Sequence, residues 1–99
     1  MSLEMTFGVF IVDQDKYAEY RAGIAPLLEA VKGRFRYDFE VARTVKSEAR
    51  HEINRLFVME FPGHASKERF FSDPRYVEIQ TRLLVESVKG TTVIAVYAT

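Results

Sequence analysis

The sequence predicts an α+β domain with the element order β-α-β-β-α-β, folded as a four-stranded antiparallel sheet with its helices on one face. Two neighbouring segments, residues 35–43 and 51–61, place aromatic and basic side chains at every second position, as paired strands do. Two other stretches repeat apolar residues at helical spacing, and an apolar segment lies near each end of the chain. This order suits the ferredoxin-like split βαβ topology, in which the first and third strands are central and the other two are edges.

Length and composition restrict the class of protein. Ninety-nine residues predict one domain, which we place at residues 4–99, with residues 1–3 set aside as resembling a cloning artefact. Fourteen basic and fourteen acidic residues cancel, which argues against a nucleic-acid partner. The chain has no cysteine, so disulfides and thiol catalysis are excluded. No apolar run approaches the length of a membrane span, and the sequence therefore predicts a soluble, cytoplasmic protein without a membrane partner.

The first strand and helix follow from residues 5–33. Residues 5–12 are apolar on both alternating faces, as in a central strand. Asp13 or Asp15 is expected to cap the helix, Pro26 to kink or divide it, and Gly33 to stop it. The apolar stripe of this helix comprises Tyr17, Tyr20, Ile24, Leu27, Leu28 and Val31.

The middle hairpin joins strands at residues 34–43 and 53–61 through a polar connection at residues 44–50. Pairing odd with odd positions gathers the aromatic side chains on one face and brings Glu60 near Arg34 and Arg36 on the other. The aromatic face would then hold Phe35, Tyr37, Phe39 and Val41 beside Phe57, Met59 and Phe61.

The remaining elements follow Pro62. Ser66 is expected to cap a short helix, Asp73 and Pro74 to begin the next, and Gly90 to end it before a final strand at residues 91–98. Since helices cover only one face, the apolar side chains on the other face need a partner. A second copy packing sheet to sheet is the simplest one, and the sequence predicts a homodimer.

The candidate site is a cleft between the aromatic face and the helices, open at an end where three basic groups gather. Tyr17, Tyr20, Tyr37 and Phe57 would wall a compact anionic or aromatic metabolite. Arg43, His51 and Arg55 would orient or polarise its carboxylate or enolate, with His51 as the candidate catalytic acid–base group. The competing interpretation is that the rings are core packing and the basic groups a solvated rim.

Other chemistries find less support in the sequence. His51 and His64 have no cysteine or second motif histidine to complete a metal site, so neither metal nor cofactor is predicted. The same element order occurs in RNA-recognition domains, but the glycines before the third-strand aromatics are missing. Whether the protein is an enzyme stays open, and a non-enzymatic ligand-binding or interaction module is the alternative.

Several short segments together resemble the domain-of-unknown-function 1330 family, within the dimeric α+β barrel superfamily. They are residues 15–20, Pro26-Leu27-Leu28, Gly33-Arg34-Phe35, Glu60-Phe61-Pro62, residues 71–76 and Arg82. The family's usual Gly-Gly after the first helix is Lys32-Gly33 here. The resemblance implies ferredoxin-like protomers whose sheets pair into a barrel. Superfamily relatives include cofactor-independent monooxygenases, muconolactone isomerases and haem-binding enzymes, with sites between sheet and helices. No catalytic residue of those enzymes has a counterpart here.

Overall fold

The computed structural model describes residues 2–98 and contains the predicted four-stranded antiparallel sheet. Its strands are β1 (Leu3–Ile11), β2 (Arg34–Glu40), β3 (Arg55–Phe61) and β4 (Val88–Ala98), in the order β2-β3-β1-β4. The helices are α1 (Gln14–Ala30), α2 (His64–Ser72), α3 (Pro74–Ile79) and α4 (Val85–Ser87), with a π-helical segment at Gln80–Leu84. The ferredoxin-like fold is confirmed, with β1 and β3 central.

The core lies between one face of the sheet and the helices. Alternate residues of the central strands point into it because successive side chains of a strand leave opposite faces. Phe61 and Val9 are almost fully buried there, and α1 supplies Ile24 and Leu28. Leu3, within the segment set aside at the start, is 2% exposed and pairs with Phe61. Residue 99, the predicted domain limit, lies outside the described residues, as does residue 1.

Helix α1 begins as predicted and ends differently. The Asp13 carboxylate accepts a hydrogen bond from the backbone N–H of Lys16 at 3.0 Å. The helix continues through Pro26 without division. At its end Lys32 takes a left-handed conformation, with φ of 61°. The N–H groups of Lys32 and Gly33 donate to the carbonyls of Glu29 and Leu28, both at 2.9 Å, which is the Schellman pattern. Lys32, not Gly33, therefore occupies the position that favours glycine.

A β-bulge in β2 corrects the predicted register of the hairpin. Arg34 pairs with Glu60 and Phe35 with Met59, as the odd–odd pairing requires. The register then shifts, so that Tyr37 pairs with Val58 and Asp38 with Phe57. The predicted register is wrong from this point on, since a shift of one residue sends each side chain to the other face.

The bulge moves two predicted floor residues out of the aromatic face. Tyr37 and Phe39 lie on the side away from the helices, 48% and 53% exposed, with their rings stacked at a centroid distance of 6.1 Å. Asp38 turns to the helix side instead, where it contacts Arg21 of α1.

Ser66 does not cap α2 as predicted. It lies inside the helix, buried, and its hydroxyl donates to the carbonyl of Val31, which ties α2 to the end of α1. Asp73 does cap α3, accepting from the N–H of Arg75 at 2.9 Å, with Pro74 in the first turn.

The last strand begins before Gly90, which the sequence placed at the end of the helix. β4 starts at Val88, so Gly90 lies inside it. A Cβ at Gly90 would overlap the ring of His51, so glycine is required there by a close side-chain approach rather than by helix termination.

The sheet face opposite the helices carries exposed apolar side chains. In addition to Tyr37 and Phe39 on β2, it presents Ile94 on the opposite edge strand β4, 48% exposed, whose side chain lies near Gly8 together with that of Ile53. Within residues 2–98, no helix is both long enough and apolar enough to cross a bilayer. The cytoplasmic location stays a prediction.

Candidate functional site

A small cavity of about 40 Å³ lies between the sheet and the helices, where the sequence placed the ligand cleft. Three of the predicted wall residues, Tyr17, Tyr20 and Phe57, line it together with Tyr76 and Phe71. A space of this size holds about one water molecule. Any larger ligand would need the surrounding rings to move.

Three buried tyrosines give the cavity its polar groups. The hydroxyls of Tyr20 and Tyr76 lie 3.2 Å apart and share a hydrogen bond. Burial raises the pKa of Tyr20 strongly, and it also raises the pKa of Tyr76 and of Tyr17. All three are therefore neutral phenols at physiological pH, able to donate a hydrogen bond but not to act as bases.

Two arginines converge on one carboxylate at the edge of this cavity. Arg55 of β3 binds Asp38 in a two-point fork, with Nε–Oδ1 and Nη2–Oδ2 distances of 2.8 and 2.9 Å. Arg21 of α1 donates to the same carboxylate at 2.6 Å and to the Tyr17 hydroxyl at 2.9 Å. The Arg21 guanidinium also lies 3.8 Å from the centre of the Phe35 ring. The Arg21–Arg55 pair thus joins helix, edge strand and central strand around Asp38.

The electrostatics of this cluster follow from the hydrogen bonds. Those from Arg55, followed by the charge of Arg21, hold the pKa of Asp38 below its usual range. The Arg55 pKa is raised in turn by its bond to Asp38. Two guanidinium groups against one carboxylate leave a positive charge, which Glu40, opposite Arg55 in the register, partly offsets. The cluster can therefore hold an anion.

Outside the Arg21–Arg55 pair lies an open groove of about 410 Å³. Arg55, Glu40, Gln14 and Asn54 line it. The guanidinium of Arg55 also lies 5.8 Å from the ring of Tyr17, which lines the cavity. The Asn54 side chain forms the groove wall by bonding both the N–H and the carbonyl of Ile11.

The structure brings together four of the seven predicted site residues: Tyr17, Tyr20, Arg55 and Phe57. Arg43 lies elsewhere, lining a hollow of about 570 Å³ with Ile53 and Ile94 on the uncovered side of the sheet. Tyr37 is on that side too, because of the bulge. The three basic groups therefore do not lie together at the entrance of one cavity. Arg43 and Tyr37 share no cavity with Tyr17, and their ligand-binding roles stay predictions.

His51 is held by two hydrogen bonds away from the cavity. Its Nδ1–H donates to the carbonyl of Glu52, and its Nε2 shares a hydrogen bond with the Thr92 hydroxyl, both at 2.7 Å. The first bond sets the tautomer, because a carbonyl can only accept. Both ring nitrogens are thus engaged within the chain, and the catalytic role of His51 stays a prediction.

Sequence reasoning missed Arg21, Asp38 and Tyr76 as site residues. Arg21 follows Tyr17 by one helical turn, a spacing that places both on one face and was a usable signal. Asp38 had no such signal, because the bulge that turns it inward is not visible in the alternation. Within residues 2–98, no cluster of three or more His, Cys, Asp or Glu side chains offers a metal site.

Solved structures resemble this fold at low sequence identity. A protein of unknown function from Rhodopseudomonas palustris matches with a TM-score of 0.82 and 17% identity, covering 99% of this chain and 82% of that one. A dabb family protein with a ferredoxin-like fold from Mesorhizobium loti gives 0.68 and 16%, over 99% and 96% of the two chains. A dimeric ferredoxin-like protein of unknown function from Jannaschia sp. CCS1 gives 0.68 and 13%, over 100% of both.

At these identities the solved structures support the fold alone. No curated protein matches the sequence significantly. The model of the family described as Domain of unknown function (DUF1330) matches residues 6–97, nearly the whole chain. The resemblance noted from short segments is thereby confirmed, and the chain belongs to the DUF1330 family.

Proposed function

We propose that the protein is a homodimer that binds a compact anionic or aromatic metabolite between its sheet and its helices. The observation that carries the ligand proposal is the convergence of Arg21 and Arg55 beside Tyr17, at the edge of a cavity lined by aromatic rings. Such a site offers fork-shaped hydrogen bonds to an anion and ring faces to an apolar body.

The ligand proposal requires the site to open. The cavity of about 40 Å³ is far smaller than the several hundred Å³ that small-molecule sites provide. The groove of about 410 Å³ is lined by Arg55, which lies 5.8 Å from the Tyr17 ring of the cavity. A movement of Asp38 out of its pairing with Arg55 would make room beside the cavity without disturbing a central strand.

Chemistry beyond binding is a further part of the proposal. Arginines and neutral tyrosines can stabilise a developing enolate, as cofactor-independent oxygenases or isomerases require. His51, the predicted acid–base group, would need to leave its bonds to Thr92 and Glu52 to take part. The alternative, a non-enzymatic binding or interaction module, is favoured by the small closed cavity.

The homodimer is supported by the uncovered sheet face. Tyr37, Phe39 and Ile94 are each about half exposed there, a costly surface to leave in water. The Jannaschia protein with the same fold is described as dimeric. Pairing of two such faces would bury these side chains in a barrel-like interface.

The ligand proposal is tested by thermal shift with small carboxylates on the wild type and on Arg55→Ala. Carboxylates should raise the melting temperature of the wild type and have much less effect on the variant. Arg82→Ala is the matched control, since Arg82 pairs with exposed Glu78, one helical turn away. Equal shifts in wild type and Arg55→Ala would overturn the proposal.

The dimer is tested by sedimentation at micromolar concentration. Wild type should sediment as a dimer and Phe39→Asp as a monomer, because the new charge would lie in the interface. Val85→Asp, at an exposed apolar position of α4, is the control and should remain dimeric. A monomeric wild type would contradict the sheet-to-sheet pairing.

A further inference from the structure

We infer that Asp38 occupies the place of the ligand's carboxylate, and that the ligand class is a planar aromatic carboxylate which displaces it from Arg21 and Arg55. This inference rests on the proposed metabolite site and specifies its chemistry. Asp38 receives three hydrogen bonds from two guanidinium groups, the arrangement that a bound carboxylate would adopt.

The bulge is the first argument for this role. Without it, Asp38 would lie on the opposite face with Arg36, where Arg36 already pairs with Glu4 at 2.7 Å. The bulge takes one residue of β2 out of the pairing with β3 and directs the Asp38 carboxylate to the edge of the aromatic cavity. Bulges occur beside sites where a side chain must be re-aimed.

The position of Asp38 on an edge strand is the second argument. β2 is an edge strand that pairs with β3, and Asp38 and Glu40 on it are exposed on the side away from the proposed dimer interface. Asp38 can therefore move outward into water while the central strands stay in place. Arg21 is better fixed: its guanidinium lies 3.8 Å from the ring centre of Phe35 and donates to the Tyr17 hydroxyl, so it remains aimed at the vacated position.

Aromatic surfaces beside the arginines define the rest of the ligand. The Arg21 guanidinium lies 5.3 Å from the Phe57 ring centre and 5.6 Å from that of Tyr17. A planar ring attached to the carboxylate would lie against these aromatic side chains and extend towards the groove. A neutral ring of the same shape would gain the ring contacts but leave the arginines bound to Asp38.

Resident Asp38 should lower the affinity for such a ligand, because the site is free only in the fraction of molecules where Asp38 has moved away. Removing its charge should remove that penalty. Glu40 provides a matched control: it lies two residues along β2, opposite Arg55 in the register, and lines the same groove. No hydrogen bond joins it to either arginine among the described residues.

The experiment measures binding of benzoate and of neutral benzamide by titration calorimetry, with circular dichroism to verify folding. Benzoate should bind Asp38→Asn about tenfold more tightly than wild type. It should bind Glu40→Gln only about twofold more tightly, because Glu40 offsets the charge of Arg55 without occupying the carboxylate position. Arg55→Gln should lose benzoate binding. Benzamide affinity should change much less than benzoate affinity between wild type and Asp38→Asn, because a neutral amide gains far less than a carboxylate from free guanidinium groups. Asp38→Ser replaces Asp38→Asn if the latter does not fold.

Equal gains for Asp38→Asn and Glu40→Gln would show a general charge effect and overturn the inference. Benzoate binding that Arg55→Gln abolishes but Asp38→Asn leaves unchanged would overturn the role of Asp38 while keeping the proposed metabolite site. Absence of benzoate and benzamide binding in every protein would overturn both.

Discussion

Replacement of Lys32 by glycine should stabilise the protein, because Lys32 holds a left-handed backbone conformation at the end of α1. Its φ of 61° costs an L-residue about 1–2 kcal/mol, since Cβ approaches the backbone carbonyl. Glycine avoids this cost but loses about 0.5–1 kcal/mol through its greater freedom in the unfolded chain. The expected net gain in the free energy of unfolding is about 0.5–1 kcal/mol.

The assay is urea unfolding at one fixed protein concentration, so that any change of association does not enter the comparison. Lys32→Gly should raise the midpoint without changing the slope, and raise the melting temperature by roughly 2–8 °C. Lys32→Ala is the control, because it removes the exposed side chain and keeps the unfavourable φ. It should show no gain.

The neighbouring residue provides the opposite test. A Cβ at Gly33 would lie 2.5 Å from Cδ1 of Leu28 and 3.1 Å from the Phe61 ring. Gly33→Ala should therefore destabilise the protein by about 1–3 kcal/mol. The reasoning is refuted if Lys32→Gly is no more stable than Lys32→Ala, or if Gly33→Ala is neutral.

Three further predictions concern contacts between distant segments. Gly90→Ala should destabilise the wild type but have a much smaller effect in a His51→Ala background. A double-mutant cycle of urea midpoints would detect the difference. Additive effects of the two changes would contradict the packing of His51 on Gly90. The folded state depresses the pKa of Asp38, so its stabilising contribution is present above the unfolded pKa and is lost as the pH falls below about 4. Unfolding measured from pH 7 to pH 3 should accordingly show a steeper loss of stability in wild type than in Asp38→Asn, and parallel curves would contradict it. Tyr20→Phe should lower the free energy of unfolding by about 1–3 kcal/mol, because it leaves the Tyr76 hydroxyl unpaired. The double variant Tyr20→Phe/Tyr76→Phe should lose less than the sum of the two single changes. Additive losses in thermal unfolding would refute this.

Much of the fold was predictable because its signals are local. The apolar run of β1, the alternation in β3, the Asp13 cap and the Asp73-Pro74 start each depend on a few consecutive residues. The order of the elements then restricts the sheet to few topologies, and the observed strand order is the predicted one. The same reasoning placed Tyr17, Tyr20 and Phe57 between sheet and helices.

Signals that depend on a distant partner were misread or invisible. Ser66 has the chemistry of a helix cap, but the carbonyl it satisfies belongs to Val31. Gly90 resembles a helix stop, yet the reason for glycine is the ring of His51. A short polar or small residue has several uses, and only the packing of separate elements selects one.

The sequence by itself determined the ferredoxin-like topology and the aromatic lining between sheet and helices. Only the tertiary structure decided which face each residue of β2 occupies. Alternation is equally regular on both sides of a bulge, so the pattern cannot show where the register shifts. The shift near Arg36 brings Asp38 to Arg21 and Arg55, two arginines from other elements that meet only in the folded chain.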